Sequence, residues 1–201
     1  MDQLILASKS PRRREILDKI CIPYIVYGAK IDETDDQKGD IRSFVIGISK
    51  RKVDAVVPHF SSGLVLGVDT VVAFQNRILG KPRDGEEAKR YLQILNGNSH
   101  EVLSGITVRD AASGVGYSSV SETSVCFATL NRTEIDRYIE IGEWFDKAGG
   151  YAIQGAASLF IEQISGSFYN VMGLPVEELY RLLQRFSYFD SAGKYRPVKK
   201  L

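Results

Sequence analysis

The stretch LILASKSPRRREIL, Leu4 to Leu17, decides how the fold is read. Leu4-Ile5-Leu6-Ala7 is a short apolar run, as expected of a buried strand. Ser8-Lys9-Ser10-Pro11 breaks it with small polar residues. Ser10 stands where an N-cap belongs and Pro11 where a helix begins. A helix is therefore expected from Pro11, with Ile16, Leu17 and Ile20 on its buried face. Strand, turn and helix in close succession open an α/β fold. Arg12, Arg13 and Arg14 fill the first turn of that helix, at the positive end of its dipole. Cations are disfavoured there by roughly 0.3–1 kcal/mol each. Their placement makes sense if an anion sits at the turn, held by helix N–H groups, hydroxyls and guanidinium forks. Successive helical residues fan out by about 100°, so the three cannot all face one ligand. One or two are expected to bind and one to be solvated.

The chain has 201 residues, 44% of them apolar, enough for one sizeable α/β domain or two small lobes. Lys and Arg number 26 against 25 Asp and Glu. That balance weighs against a broad nucleic-acid or membrane surface. Cys21 and Cys126 lack metal-ligand spacing and read as small buried hydrophobes in a reducing compartment. No stretch is apolar enough to span a membrane, and Met1 stands directly ahead of a core strand. A cytoplasmic protein without a cleavable leader is expected.

Further elements follow from periodicity. Tyr24–Tyr27 reads as a strand, Lys30–Asp40 as an acidic loop and Ile41–Val57 as a helix. Leu64–Phe74, LVLGVDTVVAF, reads as a central strand. Gln75-Asn76-Arg77 turns into a short strand at Ile78-Leu79. Asp84 caps a helix through Leu95. His100–Arg109 and Gly116–Ala128 read as a hairpin around Asp110–Gly114. Arg132–Ile141 is a helix with Asn131 as its cap. Gly142–Gly155 is a glycine-rich segment, and Ala156–Ile164 reads as a strand. Leu174–Phe186 reads as a helix burying Val176, Leu179, Tyr180, Leu183 and Phe186. A tail runs from 187 to 201. The order predicts a mixed sheet with helices packed on it.

Four segments carry chemistry. Ser8–Arg14 is a candidate anion site. Asp69-Thr70 interrupts an apolar run, and a carboxylate there is either a strand-end cap or a buried group fit for general base or metal-ligand work. Gly80-Lys81-Pro82-Arg83 is a turn offering Lys81 as a point charge for phosphate. Asp146–Gly155, DKAGGYAIQG, allows a base pocket in which the Gln154 amide could read a pyrimidine edge. Glu33 and Lys52, judged alone, read as surface charges. His59 and His100 receive no role. Together the chain offers two carboxylates, Glu33 and Asp69, and cations at Arg12/Arg13, Lys52 and Lys81. That set suits metal-assisted chemistry on a polyphosphate. GxxxxGK[ST] and GxGxxG are absent, which argues against a P-loop NTPase and a dinucleotide fold.

These segments closely resemble the Maf family of nucleotide pyrophosphatases. The resemblance rests on LASKSPRRREIL, GVDTVV at Gly67–Val72, LGKP at Leu79–Pro82, DKAGGYAIQG and GSFYNVMGLP at Gly166–Pro175, in the family's order. It implies an inosine-triphosphatase-like fold: a mixed twisted sheet flanked by helices, with a central cleft between two lobes of one domain over 1–186. It also implies hydrolysis of a nucleoside triphosphate to monophosphate and pyrophosphate with Mg²⁺ or Mn²⁺. Arg12, Thr70 and Gln154 match the branch acting on dTTP and UTP; the 7-methyl-GTP branch differs at these places. Asp69 is then the expected catalytic base, and Glu33 and Asp69 the expected metal ligands. Ser8, Arg13, Lys52 and Lys81 are the expected phosphate-binding residues. The expected partners are the nucleotide and, as a candidate, a second copy of the chain in a homodimer. The alternatives are a modified-nucleotide pyrophosphatase and a non-catalytic nucleotide- or nucleic-acid-binding regulator of cell division.

Overall fold

The structure is a computed structural model that describes residues 3–32 and 40–189. Seven strands and six helices follow one another along them. They are β1 (Leu4–Leu6), α1 (Pro11–Lys19), β2 (Tyr24–Val26), α2 (Ile41–Val56), β3 (Leu64–Phe74), β4 (Arg77–Leu79) and α3 (Gly85–Leu95). Then come β5 (Ser99–Asp110), β6 (Gly116–Phe127), α4 (Arg132–Ile141), β7 (Ile161–Ser165), α5 (Phe168–Met172) and α6 (Val176–Gln184). The strand order is β2-β1-β3-β5-β6-β7, with β4 paired to β3. β1 runs parallel to β2 and β3, whereas the β3–β4 and β6–β7 pairs are antiparallel. This is the mixed α/β sheet expected.

Two compact units divide the chain. The first comprises 1–69, 104–121 and 173–201; the second comprises 70–103 and 122–172. β3, β5 and β6 pass through both.

In the first unit, Ile5, Ala7 and Val65 pack against Val53 and Val56 of α2. The α2 backbone comes so close to the sheet that two strand positions admit only glycine. A Cβ on Gly67 would lie 2.3 Å from the Ser49 carbonyl oxygen, and one on Gly105 2.2 Å from that of Val45. Buried hydroxyls are satisfied locally: Ser49 Oγ lies 2.7 Å from Thr107 Oγ1, which lies 2.9 Å from Ser118 Oγ.

In the second unit, Val72, Leu92, Leu95, Phe127, Tyr138, Tyr151 and Phe160 share one core. Asp84 caps α3 by accepting from Glu87 N–H, and Asn131 with Glu134 forms a capping box at α4, as their spacing predicts. Gln75 and Asn76 both take positive φ in the β3–β4 turn, the conformation such a two-residue hairpin requires.

Several expectations are corrected. Ser10 holds the N-cap place of α1, but its side chain makes no capping bond. Ile20 is half-buried, because it sits at the C-cap. Cys21 is exposed and Cys126 half-buried. Cys21 N–H donates to the Asp18 carbonyl and Ile22 N–H to that of Leu17, a Schellman ending that puts Cys21 in the left-handed region at φ 55° and turns it outward. Ala156–Leu159 forms a 3₁₀ turn, and the strand begins only at Ile161. α6 starts at Val176, since Pro175 disfavours helical dihedrals at Leu174. Its buried face is Leu179, Leu182 and Leu183, which leaves Tyr180 exposed. The short α5 lies in a stretch to which the sequence reading assigns no element.

Candidate active site

In the first unit, the chemistry gathers where β1 ends. Ala7 N–H still donates to the Leu66 carbonyl, 2.8 Å, but from Ser8 the chain turns away into α1. β3 runs on. Its pairing with β1 stops at Leu66 and its pairing with β4 begins at Val72, so Asp69 and Thr70 fall in the interval between them. Strand ends of this kind are where open α/β sheets present functional groups.

Ser8 is buried and accepts two hydrogen bonds, from the Arg13 guanidinium at 2.8 Å and from Ser10 N–H at 3.2 Å. Both hydroxyl lone pairs are thereby used, and the hydroxyl hydrogen is left to donate. Arg13 is itself buried, and its Nε donates to the Gly173 carbonyl at 2.9 Å. The guanidinium thus joins the SPRR and GLP segments. Arg12 is half-buried and Arg14 exposed.

Lys52 is not a surface charge. It points from α2 into the interior, where Nζ donates to Asp69 Oδ1 at 2.8 Å and to the Val68 carbonyl at 3.3 Å. Its neighbour Lys50 is exposed. Asp69 is buried mid-strand, held by one carboxylate oxygen, and Oδ2 is the atom left for a proton, a water or a cation. Glu33 lies outside the described residues. Among the described residues, no group of three or more His, Cys, Asp or Glu is arranged to hold a metal ion.

The second unit holds a different set. Lys81 is exposed and ion-paired with Asp146. Gly149 N–H donates to the Gly80 carbonyl at 3.0 Å, which ties the LGKP turn to the glycine-rich segment. Gly149 has φ 69°, and a Cβ there would press to 2.8 Å from Val72. Thr70 is half-buried and Gln154 exposed.

The chain matches the Maf-like protein family model over residues 3–186. It belongs to the Maf family. Curated relatives of this Maf chain include proteins named dTTP/UTP pyrophosphatase. One from Bacillus cereus (strain ATCC 14579) is 40% identical over 92% of this chain and 96% of the relative. One from Desulforamulus reducens is 41% identical over 92% and 97%. One from Bacillus cytotoxicus is 40% identical over 92% and 96%.

Sequence reasoning missed a buried polar frame in this Maf chain. His100 is fully buried, and its Nε2 lies 2.8 Å from Tyr151 Oη. Burial pushes the imidazole down to about 4, so it is neutral at pH 7. Burial likewise raises the phenols of Tyr138 and Tyr151 above their ordinary range. Asn170, also buried, donates to the Val102 carbonyl at 2.9 Å and to Thr123 Oγ1 at 3.0 Å. Periodicity could not reveal these pairings, which join residues far apart in sequence. The one available signal was a histidine placed at the start of a long strand otherwise rich in apolar residues.

Proposed function

We propose that this chain hydrolyses dTTP and UTP to the nucleoside monophosphate and pyrophosphate. The observation that carries the reading is the buried Asp69 carboxylate, tethered through one oxygen to Lys52. Membership of the Maf family and the names of relatives about 40% identical supply the substrate class.

A water molecule attacks the α-phosphorus, and the bond from that phosphorus to the bridging oxygen breaks. Pyrophosphate leaves. Asp69 Oδ2 takes the proton of the attacking water, while Lys52 holds the carboxylate in place by pairing with Oδ1. Ser8 donates its free hydrogen to a phosphate oxygen, and Arg13 stands behind it with a buried positive charge. Lys81 exchanges Asp146 for the triphosphate. Arg12, Thr70 and Gln154 select the base. Helix N–H groups at α1, left uncapped by Ser10, add to the same anion affinity.

Mg²⁺ or Mn²⁺ is compatible with the open Oδ2 of Asp69, because such cations keep several waters and take only one or two carboxylates beside substrate phosphates. Asp69 would hold it, with Glu33, outside the described residues, as the second carboxylate proposed. When bound, the cation neutralises developing charge on the phosphates. No described helix is long and apolar enough to cross a membrane. Action on the cytoplasmic nucleotide pool is part of the same proposal.

Pyrophosphate release from dTTP, UTP, CTP, 7-methyl-GTP and dITP, with Mg²⁺ or Mn²⁺, tests it. Preference for dTTP and UTP, lost in Asp69→Asn, is the expected result. Preference for 7-methyl-GTP would refute the base selection. Absence of turnover with every nucleotide would refute the activity.

A further inference from the structure

Gln154 is presented on a turn whose two ends are clamped by α4 and the residue just beyond its cap. Gly155 N–H donates to the Ala152 carbonyl at 3.0 Å, closing the turn Ala152-Ile153-Gln154-Gly155. Ile153 is buried and Gln154 exposed, so the turn is anchored by one side chain and offers the next. Ala152 N–H donates to Tyr138 Oη at 3.2 Å. Ala156 N–H donates to Glu143 Oε2 at 2.7 Å. A third tie comes from Tyr151, whose hydroxyl is bonded to His100. Trp144 Nε1 donates to the Ile139 carbonyl at 3.0 Å and fixes the start of the segment against α4.

Glu143 is the sharpest of these contacts. Its carboxylate fills the space where Gly155 would carry a side chain, since a Cβ there would lie 2.0 Å from Oε2. An ionised carboxylate accepting from a backbone N–H makes a stronger bond than a neutral acceptor.

We propose that Glu143 is a positioning residue for base selection: by clamping the backbone immediately after Gln154, it fixes the direction in which the Gln154 amide meets the pyrimidine edge. The inference rests on the reading that Gln154 contacts the base. Its role is therefore on KM and on discrimination between bases, and not on the chemical step.

The test measures kcat and KM of the full chain for dTTP and dITP. Gln154→Ala is expected to lower the dTTP-over-dITP ratio of kcat/KM by about tenfold through KM, the scale of a lost pocket contact. Glu143→Ala is expected to reproduce that shift with kcat nearly unchanged. Glu143→Gln restores the ratio, because its amide oxygen still accepts from Ala156 N–H. The double variant Glu143→Ala with Gln154→Ala is no worse than Gln154→Ala alone, as for two residues acting through one contact. Gly155→Ala, which expels the carboxylate without removing it, gives the same shift and serves if Glu143→Ala does not fold. An unchanged ratio in Glu143→Ala or Gly155→Ala, with Gln154→Ala lowered, overturns the proposal and leaves the function standing. An unchanged ratio in Gln154→Ala overturns both the proposal and the base-reading role of Gln154.

Discussion

Lys52 Nζ lies 2.8 Å from Asp69 Oδ1, with 7% and 11% of the two side-chain surfaces exposed. Two opposite charges this deeply buried depend on each other. Removing one leaves the other buried without this ion pair, whereas replacing both together avoids that penalty.

Asp69→Asn is therefore expected to act twice. Under the proposed mechanism, loss of the base lowers kcat by about 10²–10⁴-fold. Loss of the counter-charge to Lys52 lowers stability by about 3 kcal/mol. Adding Lys52→Met should return most of the stability and none of the activity. Urea unfolding of the three variants beside pyrophosphate release separates the two effects. Wild-type turnover in Asp69→Asn would remove Asp69 from the base role; wild-type stability would mean that the pair is solvated.

The close approach of α2 to the sheet places Lys52, and it depends on two glycines. Gly67→Ala would force a methyl against the Ser49 carbonyl, and Gly105→Ala one against that of Val45. Neither backbone can move without lifting α2, so each substitution is expected to cost about 3 kcal/mol. Gly47 on the same helix has nothing within 4 Å of its would-be Cβ. Gly47→Ala should stabilise by about 0.5–1 kcal/mol, the ordinary helical difference. Thermal unfolding of the three checks this; equal effects at 47 and 67 would contradict the packing described.

Which parts were legible in the sequence follows a physical line. β1, α2, β3, α3, β5, β6 and α4 announce themselves by local periodicity and caps, and their bounds fall within a residue or two of expectation. Ala156–Leu159 did not, since an apolar run of that length fits a 3₁₀ turn as well as a strand. At the site, Asp69 was conspicuous because a carboxylate inside an apolar run has to be explained. Lys52 was not, because on α2 it stands between Lys50 and Arg51 and its inward direction depends on how the helix lies on the sheet. The Tyr138, Glu143 and His100 contacts join residues through tertiary structure alone.

His100 makes stability depend on pH. Its folded value of about 4 lies below the ordinary 6.5, because burial disfavours the imidazolium. Between these values the unfolded chain binds more protons than the folded one, so stability rises with pH there. The contribution is complete above about pH 6.5 and is lost as pH falls toward 4, by about 3 kcal/mol in all. His100→Phe should flatten this part of the profile. It should also lower stability at neutral pH by about 1–3 kcal/mol, because Tyr151 Oη loses its partner. Urea unfolding from pH 4 to 8 reads both. An equally steep fall in the variant would assign the acid sensitivity to other groups.

Lys81 separates binding from folding. It is 60% exposed, and its ion pair with Asp146 lies at the surface, where such pairs contribute about 0–1 kcal/mol. Lys81→Ala should leave the melting temperature within a degree or so of wild type. In the proposed reaction its value is different, because there the ammonium would exchange Asp146 for phosphate oxygens whose charge grows as pyrophosphate departs. A fall in kcat/KM of about a hundredfold is expected, the scale of one lost donor to developing negative charge. Asp146→Asn should move the other way and lower KM, since it removes the carboxylate that competes for Lys81. Steady-state kinetics with dTTP on both variants decides the matter. Unchanged kcat/KM in Lys81→Ala would reduce the lysine to a partner of Asp146 in a surface turn.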